Sequence, residues 1–178
     1  VADARKALPR ADFRGPARQG DVLRALHDGA ASIVLVDGVF ESQPSVWHQE
    51  LRIALAEGVK LFGASSMGAL RAAELHTLGM VGIGRVFEAY VGGTCVDDAD
   101  VALLHASAEH DWRPLTLPFV NVLAVAERAV AEQVLTRAAA RELVRSARDL
   151  HYKVRHWPDV LAATSWSAVM RGMIGPWC

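Results

Sequence analysis

The sequence is poor in the features on which several classes of protein depend. Its 178 residues include two cysteines, Cys95 and Cys178, too few for a disulfide framework, which favours a reduced, cytoplasmic protein. No apolar run approaches the roughly 20 residues of a membrane-spanning helix, and no signal peptide is recognisable. Because 19 basic and 20 acidic residues nearly cancel, the chain has no general field for binding nucleic acid or an anionic membrane.

Apolar residues, by contrast, are abundant and arranged for a folded core. They make up 52% of the chain, so long disordered segments are not expected. Residues 32–38 and 59–64 are short apolar runs typical of buried strands. Residues 45–57 and 69–78 repeat apolar positions at helical spacing. This order predicts a β-α-β-turn-α unit whose parallel strands are buried on both faces.

Weaker patterns surround this unit. Residues 1–20 are rich in Arg, Pro and Gly and are expected to be mostly irregular. Asp21 and Gly29 bound a short predicted helix over residues 21–29, and residues 85–90 predict one or two further helical turns. Residues 101–105 are a candidate third strand.

The C-terminal part of the sequence predicts helices. Residues 119–156 are rich in Ala and Arg, with apolar positions at the spacing of one or two helices. The fold expected is therefore α/β: a small parallel sheet built on the β-α-β-turn-α unit, flanked by helices, with a helical C-terminal region. We place the core over residues 1–125 and the helical extension over residues 126–178.

The turn between the second strand and its helix carries the strongest chemical signal. Ligands of open α/β sheets bind at the carboxyl ends of the strands, and Gly63–Gly68 lies there, with Ser65, Ser66 and Met67 inside it. Serine on a strand–turn–helix is the geometry of a nucleophile elbow, where the helix N-terminus offers N–H groups to an oxyanion or a phosphate. Serine is also a common N-cap residue, so the same pair is compatible with an ordinary helix start.

Other polar side chains are predicted near the same edge of the sheet. His48 lies in the first turn of its helix and is either a general base or an ordinary surface histidine. Asp37 and Glu41 follow the first strand and either orient a base or a substrate or form the turn itself. Arg71 and Glu74 are one helical turn apart and either pair on the surface or, for Arg71, stabilise negative charge above the turn.

Three further features favour structural roles. The acidic run at Asp97, Asp98 and Asp100 lacks a histidine or another carboxylate at a recognised metal spacing, which favours a solvated loop. Cys95 is interpreted as a small apolar residue in preference to a redox or sulfur-carrying thiol. The glycines of residues 79–84 lack the following Lys-Ser or Lys-Thr of a phosphate-binding loop.

Four ordered motifs carry a family resemblance. They are DGVFESQPSVWHQE (37–50), FGASSMGALRAAELH (62–76), GMVGIGRVFEAY (79–90), and DDADVALLH with RPLTLPFVN (97–121). Together they resemble TfuA-like proteins over about residues 17–125. The resemblance implies an apolar opening strand before residue 1, which this sequence lacks, so the chain is either truncated or receives that strand in another way.

The resemblance implies a role beside a YcaO enzyme in making backbone thioamides in a ribosomally made precursor peptide. It implies a second partner, a ThiS-like sulfur carrier whose C-terminus is a thiocarboxylate. Hydrolysis of that thiocarboxylate would release sulfide to the YcaO enzyme. No cofactor, metal, nucleic acid or membrane enters this activity.

The resemblance also implies a site with a Ser–Lys pair. We expect Ser66 to be the nucleophile, with Ser65 as second choice, and the N–H groups from Ser66 to Gly68 to form the oxyanion site, shaped by Arg71 and Glu41. Lysine is scarce in this chain. Lys60 begins the second strand, about 13 Å from its end, which is beyond the reach of its side chain.

The base is therefore left open between His48, Lys6 and Lys153, because many relatives carry a basic residue where this chain has Gln49. Two alternative functions also stay open. One is a non-catalytic adaptor that strengthens the binding of the YcaO enzyme to its peptide. The other is a module that binds a small anion or a nucleotide at the serine turn.

Overall fold

The chain divides into two units, Val1–Gly92 and Gly93–Cys178. The computed structural model describes residues 2–38 and 43–175. In the first unit strands alternate with helices, whereas the elements described in the second unit are helices. The predicted end of the family core near residue 125 stays a prediction.

The first unit is built on a three-stranded parallel sheet of order β1-β2-β3. The strands are β1 (Ser32–Leu35), β2 (Lys60–Ala64) and β3 (Val81–Ile83). The helices are α1 (Ala2–Ala7), α2 (Asp21–His27), α3 (His48–Ala56), α4 (Met67–Leu75) and α5 (Arg85–Val91). The predicted α/β class and the β-α-β-turn-α unit are confirmed. Most of residues 2–20 are irregular, as expected, and α1 is the exception.

The third strand is not the one predicted. Residues 101–105 form no strand and make only an isolated antiparallel bridge from His105 to Pro114. The third strand is β3, where Gly82 pairs with Gly63. A side chain at Gly82 would meet the Phe87 ring at 2.0 Å, so the aromatic ring lies directly on the strand. The prediction was wrong because three residues with a central glycine give almost no periodic signal.

Among the described residues of the first unit, the helices cover one face of the sheet. Leu35 and Leu61 are buried, and they pack in one core with residues of α2, α3 and α4. On the other face Val34, Val81 and Ile83 are each about half exposed (53%, 49% and 50%). The prediction that the strands are buried on both faces is therefore wrong, although parallel sheets are normally covered on both.

Two glycines let helix α4 lie directly on the sheet. A Cβ added to Gly68 would stand 1.8 Å from the Leu35 carbonyl oxygen. A Cβ added to Gly63 would stand 2.0 Å from the Gly68 carbonyl oxygen. Only residues without a side chain permit these approaches. They bring the start of α4, and with it Ser66, next to the end of β1.

The second unit is a packed group of helices. They are α6 (Phe119–Ala131), α7 (Arg137–Arg148), α8 (Trp157–Ala162) and α9 (Ala168–Ile174). The prediction of one or two helices over residues 119–156 is confirmed as two, α6 and α7. Phe119, Val122, Leu143, Val160 and Ile174 are fully buried in its core. No helix among the described residues is both long enough and apolar enough to cross a bilayer.

Candidate functional site

Ser66 and Asp37 meet at the edge of the sheet where the strands end. Asp37 follows β1 and Ser66 follows β2, and because these strands are parallel and paired, both residues emerge on the same side. The Ser66 hydroxyl donates to Asp37 Oδ1 at 2.6 Å. The same oxygen also accepts the Gly38 N–H at 2.8 Å. A short bond to a carboxylate polarises the hydroxyl, as the activation of a nucleophile requires.

Ser66 occupies the N-cap position of α4 without capping the helix. Its hydroxyl makes no capping bond and points to Asp37 instead. The Gly68 N–H donates to the Val36 carbonyl at 3.3 Å, so it is not available to an oxyanion. The Ser66 and Met67 N–H groups begin the helix and have no intrahelical acceptor. These two donors, at the positive end of the helix, are suited to binding negative charge.

The residue before the nucleophile candidate has a strained backbone. Ser65 is exposed and has φ of 62°, in the left-handed region that side-chain-bearing residues seldom adopt. Such a conformation costs on the order of 1 kcal/mol and persists where the surrounding structure imposes it. Ser65 and Ser66 form the turn that follows β2, and Ser66 is half-buried.

A second polar cluster lies on the same helix. Buried Arg71 donates from Nε to the Val46 carbonyl at 3.1 Å and from Nη1 to Glu74 Oε2 at 2.7 Å. Its Nη2 donates to the Ser45 hydroxyl at 3.2 Å. His48 Nε2 lies 2.8 Å from the same Glu74 oxygen and 3.3 Å from Arg71 Nη1. Arg71 thus fastens the segment before α3 to α4.

The two clusters are separated along α4. Glu74 follows Ser66 by eight residues, which is about 12 Å at 1.5 Å per residue. His48 Nε2 lies in the second cluster, 2.8 Å from Glu74 Oε2, and makes no hydrogen bond to either serine. Among the described residues, no basic nitrogen forms a hydrogen bond with the hydroxyl of Ser65 or Ser66.

None of the three lysines, all of them in the part of the chain that the structure describes, forms a hydrogen bond with either serine hydroxyl. Lys60 pairs with Ser32 at the far end of β2 from the turn, which agrees with the distance expected from the sequence. Lys6 lies in the last turn of α1. Lys153 belongs to the second unit, where its ammonium lies 5.6 Å from the centre of the Tyr152 ring. The polar partner of the Ser66 hydroxyl is therefore the carboxylate of Asp37 and not a lysine.

The remaining predicted site residues fall into two groups. Gly63, Met67 and Gly68 are buried, and the two glycines lie where α4 packs on the sheet. Glu41 lies outside the described residues. The binding roles predicted for these residues, and for Arg71 and Glu74, stay predictions.

Sequence reasoning missed the carboxylate of Glu50. It is 2% exposed and accepts the N–H groups of Gly20 at 3.0 Å, Val22 at 3.1 Å and Trp47 at 2.7 Å. It therefore joins the beginnings of α2 and α3. Its position in the first turn of α3 was the available signal, since acidic residues favour helix N-termini.

Cys95 and the acidic run have structural environments in the second unit. Cys95 is buried, and burial, with the nearby Asp100 carboxylate, raises the pKa of its thiol to about 11. Asp100 is itself buried and accepts the N–H groups of Val96 and Asp97, so this carboxylate is not the solvated one expected. Within residues 2–38 and 43–175, no group of three or more His, Cys, Asp or Glu could hold a metal ion.

The sequence matches a known protein family. The model of one family, described as TfuA-like protein, matches residues 37–156, more than half of the chain. The matched region contains Asp37, His48 and the Ser65–Ser66 turn. It also continues past residue 125, into α6 and α7. No curated protein matches the sequence.

Proposed function

The chain belongs to the TfuA-like family and has a role associated with YcaO-dependent thioamidation, and within that role we propose that it hydrolyses the thiocarboxylate of a ThiS-like sulfur carrier. The sulfide released would be used by the YcaO enzyme on its precursor peptide in the cytoplasm. The observation that carries the proposal is the 2.6 Å hydrogen bond from the Ser66 hydroxyl to Asp37.

The reaction needs a nucleophile, an acceptor for its proton and donors for an oxyanion. Ser66 Oγ attacks the thiocarboxylate carbon while its proton passes to Asp37. The Ser66 and Met67 N–H groups hold the oxygen that becomes negative. The C–S bond then breaks, the proton held by Asp37 passes to the departing sulfur, which leaves as hydrosulfide, and an ester to Ser66 remains. Water hydrolyses that ester, regenerating the hydroxyl and leaving the carrier with an ordinary carboxylate.

The start of α4 also suits the substrate electrostatically. A thiocarboxylate is an anion. The helix N-terminus carries the equivalent of roughly half a positive elementary charge and therefore attracts it. The half-buried position of Ser66 leaves room for the extended C-terminus of a carrier, whose last residue would approach across the exposed Ser65. No cofactor or metal is needed for this hydrolysis.

The experiment is sulfide release from a thiocarboxylated carrier protein. We expect Ser66→Ala to abolish release above background and Asp37→Asn to slow it by about 100-fold or more, the usual contribution of a general base. Ser65→Ala is the matched control, because it removes the neighbouring hydroxyl while leaving the bond to Asp37 intact. Undiminished release by the Ser65→Ala, Ser66→Ala double variant would overturn the proposal.

The competing function is a non-catalytic adaptor for the YcaO enzyme. It is favoured by one observation, the lack of a basic nitrogen hydrogen-bonded to either serine among the described residues. An adaptor stimulates thioamidation when free sulfide is supplied, and it does so equally well with Ser66→Ala. The proposed hydrolase differs, because its contribution is lost once sulfide is added directly.

A further inference from the structure

An open groove runs between α6 and α7 in the second unit. It encloses about 680 Å³. Its floor is apolar and includes Leu123 and Val130 from α6 and Val144 from α7, all of them half-buried. These side chains pack against the helical core and are partly exposed along the seam between the two helices.

One rim of the groove is a stripe of arginines on α7. Arg137, Arg141 and Arg145 follow one another at intervals of four residues and are exposed. They make no hydrogen bond or ion pair with other described side chains, although Arg145 adds to the lowering of the Glu142 pKa, which is caused mainly by hydrogen bonds from Ser165. Like charges four residues apart destabilise an isolated helix by a few tenths of a kcal/mol per pair. The opposite rim carries the carboxylate of Glu127 on α6.

We propose that this groove binds an amphipathic helix of a protein partner, with acidic residues toward α7 and apolar residues on the floor. The arginine stripe selects the negative charge and the apolar strip selects a helix with a hydrophobic face. Arg137 and Arg145 are eight residues, or about 12 Å, apart along α7. A partner helix that pairs with all three arginines therefore presents acidic side chains over more than two turns.

A helix fits this surface better than a nucleic acid does. Phosphates would pair with the arginines but would leave the apolar floor against water.

The test uses a labelled synthetic helix of about 18 residues, long enough to be substantially helical. It carries glutamates at intervals of four residues beside a stripe of leucines. Fluorescence anisotropy with the full chain is expected to show binding that weakens with salt. The triple variant R137E/R141E/R145E is expected to bind at least about tenfold more weakly. A matched peptide with lysines for glutamates should bind the triple variant better than it binds the unchanged chain.

The control variant is Arg113→Glu, which changes an exposed arginine outside the groove and should leave binding unchanged. If the triple variant fails to fold, the unchanged chain still discriminates, since it should prefer the glutamate peptide to the lysine peptide. Equal binding of the two peptides would overturn the proposal. The proposal would also be overturned if a labelled oligonucleotide or phosphatidylserine vesicles bound more tightly than the glutamate peptide and lost that binding in the triple variant.

Discussion

The two units bury opposite charges for the same physical purpose. In the first, the Glu50 carboxylate accepts three backbone N–H groups where α2 and α3 begin. In the second, the buried Arg155 guanidinium donates to the carbonyls of Ala147, Leu150 and Leu117, the first two at the end of α7. Each charge complements the dipole of the helix end it faces.

The start of α4 differs from these three helix ends. The beginnings of α2 and α3 are satisfied by Glu50, and the end of α7 is satisfied by Arg155. At α4 the residue that could cap the helix, Ser66, gives its hydroxyl to Asp37 instead. The starts of α5, α6 and α8 also lack a side-chain cap, so what sets α4 apart is the bond from its N-cap hydroxyl to a carboxylate.

The largest effect is expected from a single added methyl group. Gly68→Ala places a Cβ 1.8 Å from the Leu35 carbonyl oxygen, so α4 must move off the sheet. We expect a loss of about 4 kcal/mol in the first unit, near the upper end for overpacking. Hydrogen exchange monitored by mass spectrometry would localise it. Gly172→Ala in α9, where nothing lies within 4 Å, should instead stabilise the second unit slightly. Equal effects at the two glycines would contradict this account of α4.

Removing the buried carboxylate should have the next largest effect. Glu50→Ala leaves N–H groups of Gly20, Val22 and Trp47 without an acceptor, at an expected cost of about 3 kcal/mol. Amides at the start of α2 should lose protection from hydrogen exchange first. Glu57→Ala, at an exposed acid at the end of α3, is the control and should change little.

The buried guanidinium should matter slightly less, because its removal also removes a desolvation cost. Burial lowers the pKa of Arg155, the direction expected when a charged group loses its contact with water. We expect Arg155→Met to destabilise the second unit by about 2 kcal/mol, through the unpaired carbonyls of Ala147 and Leu150. Arg113→Met is the exposed counterpart. A neutral or stabilising Arg155→Met would mean that the hydrogen bonds only offset burial of the charge.

The last effect is absent at neutral pH and is expected only in alkaline solution, in the second unit. Because the pKa of Cys95 is raised from 9.0 to about 11, the folded thiol keeps its proton where the unfolded thiol loses it. Stability should therefore fall as pH rises above 9 toward 11. Cys95→Ala should remove this component in denaturant titrations at several pH values. Rapid alkylation of native Cys95 at pH near 8 would show that the thiol is not buried.

The sequence predicts the elements with strong periodic patterns and fails where the signal is short. Strands β1 and β2 and helices α3 and α4 lie within or close to their predicted ranges. Strand β3 was missed, because its central glycine is covered by Phe87 from α5, a tertiary contact that no local pattern reveals. The exposed sheet face was missed because both faces carry apolar residues, which read as burial on both sides.

The candidate site, too, could be predicted only in part from the sequence. Parallel strand order alone brings Asp37 and the serine turn to one edge, so their proximity follows from topology. The direction in which each side chain points does not follow from topology. His48 was a candidate base, but buried Arg71 holds Glu74 beside it, and the histidine pairs there instead. That arrangement depends on tertiary packing, which spacing in the sequence does not encode.

The most direct measurement of the central claim is the mass of the covalent intermediate. The chain is quenched in acid during turnover of a thiocarboxylated carrier, digested and analysed by mass spectrometry. We predict an ester on Ser66, lost in Ser66→Ala and strongly reduced in Asp37→Asn. Sulfide release with no ester on Ser66, or with the ester on Ser65, would contradict the account.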